Sequence, residues 1–245
     1  MRRIVVLAAL AVAGCANSFD PASFVDKLRL LAVVADPPDV APGAMTTLTA
    51  TAANPGGAPP TLTWDACLLP PPPASGQTVN QDCVALPEGD PALLPFGQGT
   101  QVTATMPAML SPDLVGLPDQ TDGVYLPVRV RLDDGAGNSL VAFYALRIFL
   151  GPLTPNPANL NPQLTGLFTV ASADAGADDG TPLDEASPLV VHAGDELHLR
   201  AEVTPESQES YMVFDGDPRD GVLRSVTETV RISWFTTAGH FSNDV

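Results

Sequence analysis

Proline sets the first limit on what this chain can fold into. Its 26 prolines and 20 glycines occupy 46 of 245 positions, about 19% where an ordinary protein has about 12%. A proline inside a helix removes a backbone donor and clashes with the turn before it, so long helices are excluded at this density. The prolines also fall in clusters, at PPDVAPG (37–43), NPGGAPP (54–60), PPPP (70–73) and PLTPNPANLNPQ (152–163). Apolar or alternating segments of strand length lie between them, which predicts an all-β chain punctuated by turns. With 45% hydrophobic residues, the chain has enough apolar surface to fold rather than remain disordered.

Charge narrows the partners. Eleven Lys/Arg face 28 Asp/Glu, a net charge of -17, and such a chain repels a phosphate backbone, so nucleic acid is not an expected partner. The two arginines nearest the start have a separate meaning. Residues 1–15 read MRRIVVLAALAVAGC, with Arg2 and Arg3 ahead of ten apolar residues, Ile4 to Ala13. Ten residues are too few to cross about 30 Å of hydrocarbon but suit the core of an export signal.

The stretch Val12-Ala13-Gly14-Cys15 resembles a bacterial lipobox. The resemblance implies a signal peptide over 1–14, cleavage before Cys15, and lipid on Cys15, with several acyl chains giving stable membrane attachment. Residues 15–26 would form the lipidated cysteine and a short tether. In a Gram-negative host, Ala16 rather than Asp after the cysteine implies outer-membrane sorting. Cleavage would leave 9 Lys/Arg against 28 Asp/Glu, a charge of -19, with 13 acids up to residue 150 and 15 after it. Export also accounts for the remaining cysteines. Cys67 and Cys83 form an even pair in an oxidising compartment and are expected to make a disulfide.

Along the chain, LRLLAVVAD (28–36), MTTLTATAA (45–53), TLTWDACLL (61–69) and GTQVTATM (99–106) read as strands. Residues 70–99 read as a long irregular insertion. In YLPVRVRLDDGAGNSLVAFYALRIFLG (125–151), Val128, Val130 and Leu132 alternate with Arg129, Arg131 and Asp133, and DDGAGN turns the chain back. That pattern predicts a hairpin with a solvated first arm and a more buried second arm. The connector at 152–163 marks a domain boundary, giving a first domain over 27–151 and a second over 164–245. In the second, LTGLFTVAS (164–172), two short strands around Ala193-Gly194, and SVTETVRISWFTTAG (225–239) carry strand character.

A faint repeat links the halves. Val40-x-x-Gly43 precedes Leu48 and Ala50 as Val191-x-x-Gly194 precedes Leu199 and Ala201, and each unit then reaches a tryptophan, Trp64 or Trp234. Together with VRVRLDDGAGN, these segments resemble the bacterial immunoglobulin-like domains of surface lipoproteins, over about half the chain. The resemblance implies tandem β-sandwiches, each packed around its tryptophan. No counterpart of the 125–151 hairpin follows Trp234, so the second domain is expected to be truncated, compact, or completed by another chain.

Catalytic vocabulary is sparse. His192, His198 and His240 fit no zinc spacing, no serine sits in G-x-S-x-G, and Lys27 is the only lysine. The expectation is no enzyme, and no cofactor other than calcium. Asp215, Asp217 and Asp220 in DGDPRDG crowd hard oxygen ligands into a turn that suits Ca²⁺, and Asp174, Asp178, Asp179, Asp184 and Glu185 form a second acidic loop. Of the aromatics, Trp64 and Trp234 are expected in the core, with Tyr144 and Phe235 facing outward or into another layer. The function these features favour is a non-enzymatic, lipid-anchored module that displays loops to an envelope protein or polymer. The alternatives are an assembly component whose second domain is completed by a partner, and a weak calcium-binding adhesin-like module.

Overall fold

The computed structural model describes residues 21–70, 79–110, 123–150, 156, 158–172, 174–176, 179–215 and 221–242. The chain is all-β. Among the described residues it has thirteen strands and no helix beyond two single 3-10 turns, Gln81–Val84 and Pro205–Ser207. None is long and apolar enough to cross a membrane.

The first eight strands build two facing sheets. One contains β1 (Arg29–Asp36), β3 (Met45–Ala53) and β6 (Gln101–Thr105) in the order β1-β3-β6. The other contains β2 (Asp39–Val40), β4 (Thr61–Cys67), β5 (Leu93–Gln98), β7 (Gly123–Asp133) and β8 (Ser139–Phe149) in the order β2-β8-β7-β4-β5. All pairings are antiparallel except β2 with β8. Alternation explains how they face. Leu48 and Ala50 from β3, Val102 and Ala104 from β6, Leu62, Trp64 and Ala66 from β4, and the even-numbered residues Val124 to Leu132 of β7 meet in one core. Trp64 is fully buried and its indole Nε1 donates to the Gly99 carbonyl at 2.8 Å.

The five-stranded sheet is covered on its outer face as well. Cys67 and Cys83 are joined by a disulfide, with Cα atoms 6.0 Å apart, which holds the segment from Val79 to Leu93 against β4. Cys67, Cys83 and Leu93 form a second small core, with Leu69, Val79, Leu86 and Phe143 packed against it. Two expectations therefore change. The 70–99 stretch is not irregular throughout, because β5 lies within it and pairs with β4. The solvated and buried arms of the hairpin are also exchanged. β7 is buried on both faces, including Arg129, whereas most of β8 is only half-buried.

The hairpin turn is set by Asp134. Its carboxylate accepts from the Ala136 and Asn138 amides at 2.8 and 2.9 Å and from the Asn138 side chain at 2.6 Å. The Asn138 side chain, followed by these backbone donors, holds the carboxyl below its ordinary pKa.

After the connector, β9 (Leu164–Val170), β10 (Thr181–Pro182) and β11 (His198–Val203) form a sheet in the order β10-β9-β11, and β12 (Ser210–Phe214) pairs with β13 (Leu223–Thr227). Gly43 and Gly194, the repeated glycines, both adopt positive φ, +78° and +95°. Each therefore turns the chain ahead of a strand, β3 or β11. The repeat ends there. Trp64 lies in β4, but Trp234 is half-buried and outside any strand; beyond Thr227 the described residues make only an isolated parallel bridge, Thr236 with Phe24. The segment Pro188–His192, expected as a strand, is unpaired and exposed.

The connector is bonded to both halves. The Asn161 side chain donates to Ala35 O at 2.7 Å, and the Asn159 amide reaches Asp39 at 3.2 Å. Asn156 exchanges two bonds with Met212 of β12, at 2.9 and 2.6 Å. The end of the expected tether is likewise folded in. Ser23 and Val25 are buried, and Thr236 donates to Ser23 O at 2.9 Å and accepts from the Val25 amide at 2.8 Å.

Candidate functional site

Two groupings of polar side chains stand out, one closed and one open. The closed one begins with register. Asp65 on β4 and Arg129 on β7 are directly paired residues on the outer face of the five-stranded sheet. Arg129 Nε and NH2 donate to the two Asp65 carboxylate oxygens at 2.9 and 2.8 Å. Its NH1 donates to the carbonyls of Cys83 and Leu86 at 2.9 and 2.8 Å, and Arg131 adds a bond to Leu86 O at 3.2 Å. The guanidinium is wholly buried and four of its donor bonds are made. Such a group is a strut, holding the disulfide-linked segment on the sheet. Sequence reasoning assigned Arg129 to solvent because alternation tells two faces apart but does not report what covers either.

The open grouping is a cleft of about 680 Å³ in the second half. β11 and the segment before it supply Asp195, Glu196, His198 and Arg200, and the segment after Ile232 supplies Trp234, His240, Phe241 and Ser242. The Trp234 and Phe241 rings lie 6.1 Å apart with their planes inclined at 41°. Arg200 is engaged in the wall, donating to Gly176 O at 2.6 Å, pairing with Glu202 at 3.0 Å and lying 5.2 Å from the Phe168 ring. Asp195 accepts from the His192 amide at 2.7 Å and faces its imidazole at 3.5 Å. Glu196 and His240 are exposed.

The sequence-derived candidates are distributed as follows. Cys67 and Cys83 are bonded as expected. Cys15, Asp217 and Asp220 lie outside the described residues. Asp215 is exposed and 3.7 Å from Arg224, an ion pair across the β12–β13 hairpin. In the second acidic loop, Asp179 accepts from the Gly176 amide and Asp184 from the Ala186 amide, so both shape their own turns. Asp178 lies outside the described residues, and Asp174 and Glu185 are exposed. Among the described residues no three His, Cys, Asp or Glu side chains converge as a metal site.

Of the outward aromatics, Phe235 is exposed beneath the Arg29 guanidinium, 5.4 Å away. Tyr144 is a correction. It packs on the main core while Phe143 faces the disulfide cluster. Burial, and then the Asp39 carboxylate, raise the Tyr144 pKa. The signal was present in the sequence, because Tyr144 shares parity with Leu146 and Ile148, both fully buried. The Trp234 cleft was not legible in this way, since its two walls are about 40 residues apart. The chain matches no family model and no characterised protein at a significant level.

Proposed function

We propose that this is an exported, lipid-anchored envelope protein whose tandem immunoglobulin-like domains serve as a non-enzymatic binding or display module. The observation that carries the reading is the Cys67–Cys83 bridge. A disulfide of this kind suits an oxidising, extracytoplasmic compartment. Of the three cysteines in the sequence, it leaves Cys15, at the end of the apolar leader, available for lipid. Two sheets of three and five strands around one buried tryptophan support the immunoglobulin-like reading of the first half.

Labelling cells with a clickable palmitate analogue tests the anchor. The wild-type chain takes up label and sediments with membranes, in the outer fraction for a Gram-negative host, and Cys15→Ser does neither. An unlabelled wild type, or equal labelling of the variant, overturns the reading.

The assembly alternative draws on the second half. Among the described residues, β11 and β13 each pair along one edge only, and such edges are templates for strand addition. Leu189, Val190 and Val191 are exposed nearby in sequence. Sedimentation of the purified chain at micromolar concentration separates the two readings, because a folded monomer argues against completion by a partner.

A further inference from the structure

We propose that the cleft between β11 and the segment containing Trp234 is a binding site for a neutral saccharide chain. This deepens the binding-module reading and rests on it, but it is independent of the lipid anchor. The cleft, at about 680 Å³, lies within the roughly 300–1,000 Å³ of small-ligand sites.

The two tryptophans of the chain are in opposite situations. Trp64 is sealed in the core with its N–H bonded to Gly99 O. Trp234 lines the cleft half-exposed, beside the inclined ring of Phe241, and its indole N–H has no hydrogen-bond partner among the described residues. A large ring with an unused donor, standing at the wall of an open cleft, provides both a stacking face and a hydrogen bond.

The polar groups choose among ligand classes. Arg200, the cation in the cleft lining, is occupied by Gly176, Glu202 and Phe168. The half after residue 150 carries 15 acids against 4 bases, a charge of -11, so a polyanion is repelled. A cationic ligand would use the Asp195 and Glu196 carboxylates but leave the Trp234 N–H and the imidazole and hydroxyl donors of His198, His240 and Ser242 unmatched on its surface. A neutral polyhydroxylated ligand uses both sets, because each hydroxyl both donates and accepts. The apolar face of a sugar ring then lies on Trp234 or Phe241.

The test is a titration of the full chain in a non-glycosidic detergent, read by tryptophan fluorescence. Only Trp234 adjoins the cleft, so Trp64 is a constant background. The probes are the neutral hexaoses of cellulose, chitin, amylose and xylan, with spermine as cation and a hyaluronan hexasaccharide as anion. Expected is a saturable change with at least one neutral hexaose at a Kd of about 1 mM or tighter. By calorimetry, binding should weaken about tenfold in Trp234→Ala and about threefold in Glu196→Ala and His240→Ala. The last two residues are exposed, so their variants retain the fold and carry the test if Trp234→Ala does not. No response to any neutral hexaose up to about 10 mM, a response to spermine or hyaluronan alone, or undiminished binding in all three variants overturns the proposal. Capture of an envelope protein with no saccharide response would end this site assignment while leaving the binding-module reading standing.

Discussion

Asp65 and Arg129, 64 residues apart in sequence, meet as a two-pronged ion pair in which the arginine has no exposed surface and the aspartate almost none. The pair stabilises the fold less through its own attraction than through what it prevents. Desolvating both ions costs several kcal/mol, and the close geometry, with two further carbonyl acceptors on Arg129, offsets that cost. Removing one partner leaves a buried charge alone.

The first prediction follows directly. Asp65→Ala or Arg129→Met should lower unfolding free energy by about 3–5 kcal/mol, measured by urea denaturation. Replacing both, as Asp65→Leu with Arg129→Met, should recover part of the loss. Recovery stays incomplete because Cys83 O loses its donor with the guanidinium and Leu86 O keeps only the longer bond from Arg131. Equal stability of the Arg129→Met chain and the wild type would show that the strut is dispensable.

The disulfide and the strut hold the same segment, so their effects should couple. Cys67→Ser with Cys83→Ser should cost about 3 kcal/mol, from a loop closed across 16 residues. Combined with Arg129→Met, the total should depart from the sum of the two by about 0.5 kcal/mol or more. Thermal melts of the three variants give the coupling. Strict additivity would mean that the two restraints act on separate parts of the chain.

Trp64→Phe keeps a ring in the core but leaves a cavity and removes the donor to Gly99 O. It should cost about 2 kcal/mol or more. Fluorescence of this variant comes from Trp234 alone, so a more solvent-quenched emission than the wild type should accompany the lower midpoint. Unchanged acrylamide quenching would contradict the half-exposed placement of Trp234.

Asn156 substitutes for a neighbouring strand by trading two hydrogen bonds with Met212. Asn156→Ala should raise hydrogen exchange in β12 and β13 by about tenfold while leaving β7 and β8 unchanged. An unaltered exchange map would show that the connector does not brace the β12–β13 hairpin.

Acidity bears on the same hairpin. Burial, and then repulsion from Glu209, raise the Glu228 pKa above its ordinary 4.5. The folded state thus favours the protonated form. The resulting stability is fully present below the unfolded pKa and is lost as pH rises through the folded one. Glu228→Gln should therefore raise the melting temperature slightly at pH 7, by about a degree, and have no effect near about pH 3, where both states are protonated. A gain of the same size at both pH values would remove the electrostatic cause.

Much of this protein was determined by the sequence alone. Proline and glycine clusters placed the turns, an apolar run placed β1, alternation placed β3, β4 and the β7–β8 hairpin, strand-like composition placed β6, and cysteine parity paired Cys67 with Cys83. These are local signals, carried by backbone restriction and by a side-chain period of two. Tertiary structure decided what covers each face. Arg129 is buried because a segment about 46 residues earlier lies over its strand, and Tyr144 faces the core because the opposing sheet is there. Trp234 lines a cleft rather than a core because its segment, strand-like in pattern, joins no sheet among the described residues and is tied by the bridge of Thr236 to Ser23–Val25. Alternation divides a strand into two faces without closing any loop between distant segments. Which face meets water depends on distant segments, and their approach is settled only when the whole chain has closed its loops.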